Sequence, residues 1–306
     1  MTGQGLRRTN TGKQSPTRWR GLSATKRPAW LALVLAIGLL TGCAEGSDTP
    51  GAQVSGRPTD GRKQGTIDHV VWIFFENHGY SEVREVGEFK RLADTYGDAT
   101  NFFADTHPSQ PNYVYATAGE TCEIASDEPS SCSVENIFHQ VGDSEWRSYQ
   151  ESMQGNCERN EFGPSPMRHD PARIFTNIDC DANDLPLPDD PSFDRKFTFV
   201  TPNICNSGHD CSIETASEAL ASFTPKVLES PQYEAGRLLY VVTFDEDDGE
   251  GPNHIYTTLV HDRAKGKEVD THYTFCNLLA TTEDLLELER IGCARGADSM
   301  QGSFGL

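Results

Sequence analysis

Two acidic pairs in this sequence stand where apolar runs stop. Val70-Val71-Trp72-Ile73-Phe74-Phe75 is followed at once by Glu76-Asn77, and Leu238-Leu239-Tyr240-Val241-Val242-Thr243-Phe244 by Asp245-Glu246. Any one of these carboxylates alone reads as a solvated loop residue. Two such pairs facing each other could not all stay ionised in a partly desolvated place without a counter-charge. A divalent cation is the natural one. Carboxylate and amide oxygens are hard ligands that suit Mg²⁺, Ca²⁺ or Mn²⁺, and nearby histidines would admit Zn²⁺ or Fe.

Thr106-His107-Pro108-Ser109-Gln110-Pro111-Asn112-Tyr113 places a serine between two prolines just before a helical pattern. Its plain reading is an N-capped helix start. Its chemical reading is a hydroxyl activated beside a metal at a helix N-terminus, where backbone amides can hold a phosphate. His209-Asp210, within a loop bounded by two cysteines, and His254, just after an acidic run, could each be structural. Several histidines near strand ends favour ligand or acid–base roles. The run Asp245-Glu246-Asp247-Asp248-Gly249-Glu250-Gly251 does not form an EF-hand loop, because the required sixth-position glycine is Glu250 and the twelfth-position glutamate is Tyr256. Asp247 and Asp248 are expected in a turn.

Strands must carry these groups. His69–Phe75 and Leu238–Phe244 read as central parallel strands buried on both faces, joined by a shorter one at Phe197–Val200 and a fourth at Ile255–Val260. Helical spacing covers 82–96, 111–118, 214–228 and 273–288. Strands alternating with helices predict an α/β fold with a mainly parallel sheet, in which ligands bind beyond the carboxyl ends of the strands. Residues 120–195, rich in Cys, Pro, Asp and Asn, read as a disulfide-stapled excursion.

The first 42 residues carry seven basic residues and no acid, then an apolar stretch from Ala29 to Leu40 of signal-peptide length. Leu40-Thr41-Gly42-Cys43 resembles a bacterial lipobox, which implies acylation of Cys43, a flexible tether over 43–65 and a folded domain over 66–306. An outward-facing membrane lipoprotein is expected, and a monomer. Eight cysteines remain, an even number that suits an oxidising exterior; proximity in sequence suggests the pairs Cys122–Cys132, Cys157–Cys180, Cys205–Cys211 and Cys276–Cys293. A net charge of -20 argues against nucleic acid as a partner.

Together, Phe75-Glu76-Asn77, Thr106 to Tyr113, Arg168-His169-Asp170-Pro171, Pro202-Asn203 with His209-Asp210, Thr243-Phe244-Asp245-Glu246 with Asn253-His254, and Thr271-His272-Tyr273 with Thr282-Glu283 resemble, in order, the bacterial phosphoesterase family. That family includes phospholipases C and acid phosphatases and has an alkaline-phosphatase-like core. The resemblance implies metal-assisted phosphoryl transfer through a covalent phosphoserine. Ser109 would be the nucleophile, and Glu76, Asn77, Asp245 and Glu246, with Ser109, would hold the metal. His169, His209 and His254 would contact phosphate or protonate the leaving oxygen, with His107 and Asp210 supporting them. Departures are the Asp170 found where many relatives carry Asn, and the lack of the long C-terminal extensions of many phospholipases. The substrate implied is a small phosphate ester, with a phospholipid headgroup as the alternative; a non-catalytic binding protein on the same scaffold is the reading from another class.

Overall fold

The computed structural model describes residues 65–306. The leader, Cys43 and the tether up to residue 64 lie outside the described residues. Ten strands follow in chain order: β1 (His69–Phe75), β2 (Gly97–Ala99), β3 (Phe102–Phe103), β4 (Trp146–Gln150), β5 (Asp184–Pro186), β6 (Phe197–Thr201), β7 (Leu238–Phe244), β8 (Thr257–Val260), β9 (Lys267–Val269) and β10 (Tyr273–Thr274). Eight of them build one sheet in the order β5-β4-β6-β1-β7-β8-β2-β9, and β3 pairs with β10.

The two longest strands have the bounds that their apolar runs predict, and every residue of both is buried. Their side chains divide between two layers because alternate residues of a strand face opposite ways. Trp72 and Phe74 pack with Phe197 and Phe199, and Phe74 meets Tyr113 at 5.4 Å and Phe275 at 5.7 Å, under the helices Ser109–Ala118 and Phe275–Leu285. On the other face Phe75 packs on Phe89 and Phe244, and Phe223 on Tyr240, under the helices Gly87–Thr95 and Ile213–Leu228. The result is a three-layer α/β domain.

β4, β5, β6, β1 and β7 run parallel. β8 departs from this: it starts at Thr257 rather than Ile255, and it returns antiparallel to β7. The intervening 245–256 segment contains no helix, and a parallel return needs a crossover longer than such a turn. Asp247 and Asn253 close the segment by exchanging backbone-to-side-chain bonds of 2.9 and 2.7 Å.

Residues 120–195 are more than an excursion, because they supply β4 and β5 to one side of the sheet. The helix expected over 82–96 is split into Tyr80–Val83 and Gly87–Thr95. All four cysteine pairs suggested by proximity are disulfides. Among the described residues no helix is long and apolar enough to cross a membrane.

Candidate active site

The register of β1 against β7 creates the site. Phe75 pairs with Phe244, and Asp245 N donates to Phe75 O at 3.0 Å, so the residues that follow, Glu76 and Asp245, emerge side by side. Both continue the alternation of Phe74 and Thr243, toward the layer that holds the helix Ser109–Ala118. Glu76 and Asp245 are fully buried and Glu246 nearly so. Asn77 adopts a positive φ of 52°, a conformation uncommon for residues other than glycine. In that turn its backbone N–H donates to Asp245 Oδ1 at 3.3 Å and its amide to Glu246 Oε1 at 3.3 Å.

Ser109 is the first residue of its helix rather than the N-cap. Pro108 takes the cap position, and the serine hydroxyl turns to the acids. Ser109 Oγ lies 3.2 Å from Glu76 Oε2, 3.2 Å from Glu246 Oε1 and 3.5 Å from Asn77 Oδ1. Residues three and four further along a helix share a face with the first. Accordingly Asn112 donates to Glu246 Oε2 at 3.4 Å, and the Tyr113 hydroxyl donates to Glu76 Oε1. Sequence reasoning left both unassigned, although that spacing from Ser109 was the signal that could have found them. Gln110 ties the helix start to the 126–128 loop through Asp127, Ser126 and Glu128.

Burial pushes all three carboxyls up. For Glu76 the charge of Asp245 adds to this, the Tyr113 hydrogen bond opposes it and the charge of Glu246 adds again, and for Asp245 the next cause is Glu246. For Glu246 burial is opposed by His107, whose Nδ1 lies 2.6 Å from Glu246 Oε2 and whose Nε2 lies 3.5 Å from Asp247 Oδ1. Asp247, expected only as a turn residue, therefore also faces this histidine.

His169 and His209 form the opposite wall. His169 Nδ1 lies 3.4 Å from Glu76 Oε1, and its ring stacks on Tyr113 and lies 5.3 Å from the His209 ring. Burial, then the charges of Arg168 and His209, hold His169 below the usual histidine range. Its Nε2 is buried with no hydrogen-bond partner. His209 Nδ1 pairs with Asp210 Oδ1 at 2.7 Å, in a loop closed by Cys205–Cys211 and fastened by Glu76 N donating to Ser207 O at 3.0 Å. Arg168, which the sequence motif includes without a role, has a long ion pair, 4.0 Å to Asp127 Oδ2, beside the N-terminus of the Ser109 helix.

One expectation needs correction: His254 does not join this cluster. Its ring is stacked between Tyr80 and Phe103 at 4.7 and 4.8 Å, and its Nε2 pairs with Thr100 O at 3.0 Å, a packing role. Asp170 turns inward, where it pairs with the fully buried Arg173 at 2.5 Å and caps the following turn through Ala172 N.

The oxygens around Ser109 fit a hard divalent cation. Asp245 Oδ2 is buried without a hydrogen-bond partner, and two carboxyls and an amide crowd one hydroxyl. Cys157, Cys180 and Asp184 bring ligand-type atoms within 4.8 Å of one another, but the two sulfurs are bonded to each other, so that cluster offers no thiolate pair to a metal.

The fold is that of the alkaline phosphatase superfamily. A protein of that superfamily from Vibrio parahaemolyticus superposes with a TM-score of 0.55 at 12% identity, over 74% of this chain and 68% of that one. The sequence pattern of the Phosphoesterase family matches residues 72–266, and the chain belongs to that family. It is similar to a probable acid phosphatase of Kluyveromyces lactis (29% identity, 72% of this chain and 58% of that one) and to a phosphate-repressible acid phosphatase of Penicillium chrysogenum (28%, 82% and 69%). The chain thus spans well under the full length of these fungal relatives. A phosphatidylinositol-3-phosphatase of Mycobacterium tuberculosis is 26% identical over 94% of this chain and 99% of its own.

Proposed function

We propose that this chain is an exported, metal-dependent phosphoesterase, an acid-phosphatase-type phosphomonoesterase that works through a phosphoserine at Ser109. The observation that carries the reading is the Ser109 hydroxyl within 3.2 Å of two buried carboxyls at the start of a helix. A catalytic serine needs activation, and this one has only acids and an amide around its oxygen, a set that makes sense with a cation among them. Glu76, Asn77, Asp245 and Glu246, with Ser109 itself, would hold that cation. When bound, it lowers the serine hydroxyl's pKa and neutralises developing charge.

The chain's own groups divide the remaining work. Ser109 Oγ gives its proton to an adjacent carboxylate and attacks phosphorus as the bond to the ester oxygen breaks. Water then displaces Ser109 Oγ from phosphorus, and the serine recovers its proton. Arg168 and His169 Nε2 serve the phosphoryl oxygens, the first by charge and the second by hydrogen bonding. His209, its Nδ1 held by Asp210, has Nε2 left to protonate the leaving oxygen and later to take a proton from water. Tyr113 fixes Glu76, and His107 fixes Glu246.

A second reading is favoured by one relative: the Mycobacterium tuberculosis enzyme named for a phosphoinositide matches nearly end to end, which supports a lipid-borne phosphomonoester as substrate. A phospholipase C-type diesterase is the further alternative. The four disulfides support export, and acylation at Cys43 would add a membrane anchor.

The experiment is an assay of the chain against p-nitrophenyl phosphate and bis-p-nitrophenyl phosphate with added divalent metals, beside Ser109→Ala and after chelation, with intact mass spectrometry for a phosphoenzyme. Activity on the monoester lost in both controls supports the reading. Activity that survives Ser109→Ala rejects the phosphoserine, and an inert wild type favours a non-catalytic binding protein.

A further inference from the structure

The segment that leads into His169 carries an unusual tip. Residues 159–164 read Arg-Asn-Glu-Phe-Gly-Pro and are all exposed, and Phe162 keeps 82% of its surface in water, the one large apolar side chain so exposed among the described residues. A stray exposed apolar residue on a loose loop would need no explanation. This loop is tied at both shoulders. Met167 N donates to Asn160 O at 2.8 Å, Ile204 N donates to Pro164 O at 2.8 Å, and the fully buried Arg173 donates to Glu158 O and to Ser165 O. Gly163 takes a φ of 116°, with open space where a side chain would stand, and so turns the chain between the two shoulders.

Both ties lead to the site. Met167 opens the short turn that ends in His169. Ile204 belongs to the loop that holds His209, and its carbonyl accepts from Asp210 N at 2.9 Å. The tip is therefore fixed between the two segments whose histidines meet at 5.3 Å beside Glu76. The walls nearer Ser109 are acids, an amide, histidines and Arg168, polar groups of which none suits an apolar one.

We propose that Phe162 is a specificity-determining contact for the leaving group, covering the apolar body of the alcohol esterified to phosphate. The site then favours phosphate monoesters of aromatic or long-chain alcohols over those of small polar ones. This rests on the phosphoesterase reading of the Ser109 site and adds the substrate class to it. Covering an apolar leaving group removes its surface and the ring's from water together, a gain that a small polyol cannot provide.

The test compares kcat/KM of the metal-supplied chain on 1-naphthyl phosphate, monomeric decyl phosphate and glycerol 2-phosphate, in wild type, Phe162→Ser and Phe162→Trp. Being so exposed, the position tolerates both changes without loss of the fold. Phe162→Ser is expected to lose about tenfold on the two apolar esters, mainly through KM, with glycerol 2-phosphate within about twofold, and Phe162→Trp to retain the preference. An equal loss on all three esters, or none on the apolar pair, overturns the proposal. A fourth arm presents phosphatidic acid in phosphatidylcholine vesicles. A loss confined to the vesicles would make Phe162 a contact for the lipid surface and also overturns the leaving-group assignment. Wild type inert on every ester, glycerol 2-phosphate included, is the separate outcome that sinks the phosphoesterase reading itself.

Discussion

His169 holds Nδ1 3.4 Å from Glu76 Oε1 and leaves Nε2 buried with no partner, although the two residues come from segments more than ninety positions apart. A buried ring nitrogen without a partner is costly unless something else completes it, and a phosphoryl oxygen bound beside Glu76 and His209 would do so. His169→Asn is expected to lower kcat/KM on a phosphomonoester by about 10²–10⁴ while circular dichroism stays unchanged. Arg168→Ala should act differently, raising KM more than it lowers kcat, with Arg168→Lys recovering part of the loss. Steady-state kinetics on the two variants separates these outcomes.

The acids around Ser109 oppose one another when no cation is present. Asp245→Asn is expected to raise the melting temperature of chelator-treated protein, because it removes one of three crowded buried carboxyls. Adding Mg²⁺, Ca²⁺, Mn²⁺ or Zn²⁺ should stabilise the wild type by about 2.7 kcal/mol at a hundredfold excess over its Kd, and the variant much less. Thermal melts with and without metal measure both effects.

His254 gives the contrasting case. Its ring is sandwiched by Tyr80 and Phe103, so His254→Gln should cost stability, about 1–2 kcal/mol, and leave kcat within about threefold. His209→Gln should do the reverse, with little change in stability and a large loss of kcat. Urea melts paired with turnover numbers on the two variants decide this.

Glu283 provides a pH dependence away from the site. Burial raises its carboxyl to about 7, against an offset from Ile291 N, which donates to Oε1 at 2.9 Å; Oε2 has no partner. The folded state therefore binds the proton more tightly than the unfolded chain, whose ordinary value is 4.5. Stability from this group is fully present below about pH 4.5 and is lost as pH rises through about 7, about 3 kcal/mol at most and less where solvent screens the group. Glu283→Gln should flatten that slope between pH 4.5 and 7, which chemical denaturation across the range would detect.

Much of the fold is written locally. Unbroken apolar runs named β1 and β7 to the residue, since a strand buried on both faces must be apolar throughout, and the acids that end them had to emerge at the sheet's carboxyl edge. Cysteines close in sequence paired as expected, because short loops bring their ends together readily. The helix spacing after Ser109 also carries a signal for Asn112 and Tyr113, two residues that the motif includes without a role.

Neighbours along the chain thus set the two central strands, the disulfides and the acid–serine–histidine vocabulary, whereas the short strands of the 120–195 stretch, β4 and β5, left no such local mark. Which histidines enter the site depends instead on contacts between distant segments. His254 stands close to Asp245 in sequence, but a bridge to Phe103 draws it away into aromatic packing. His169 lies sixty residues beyond Ser109 in a stretch rich in loops, and it arrives at Glu76 only because the turn before Asp170 packs on the Ser109 helix. The same holds for Arg168, for the antiparallel return of β8 and for the placing of Phe162. Each is set by contacts between distant segments, where strand pairing and packing act across space and leave no period in the sequence to read.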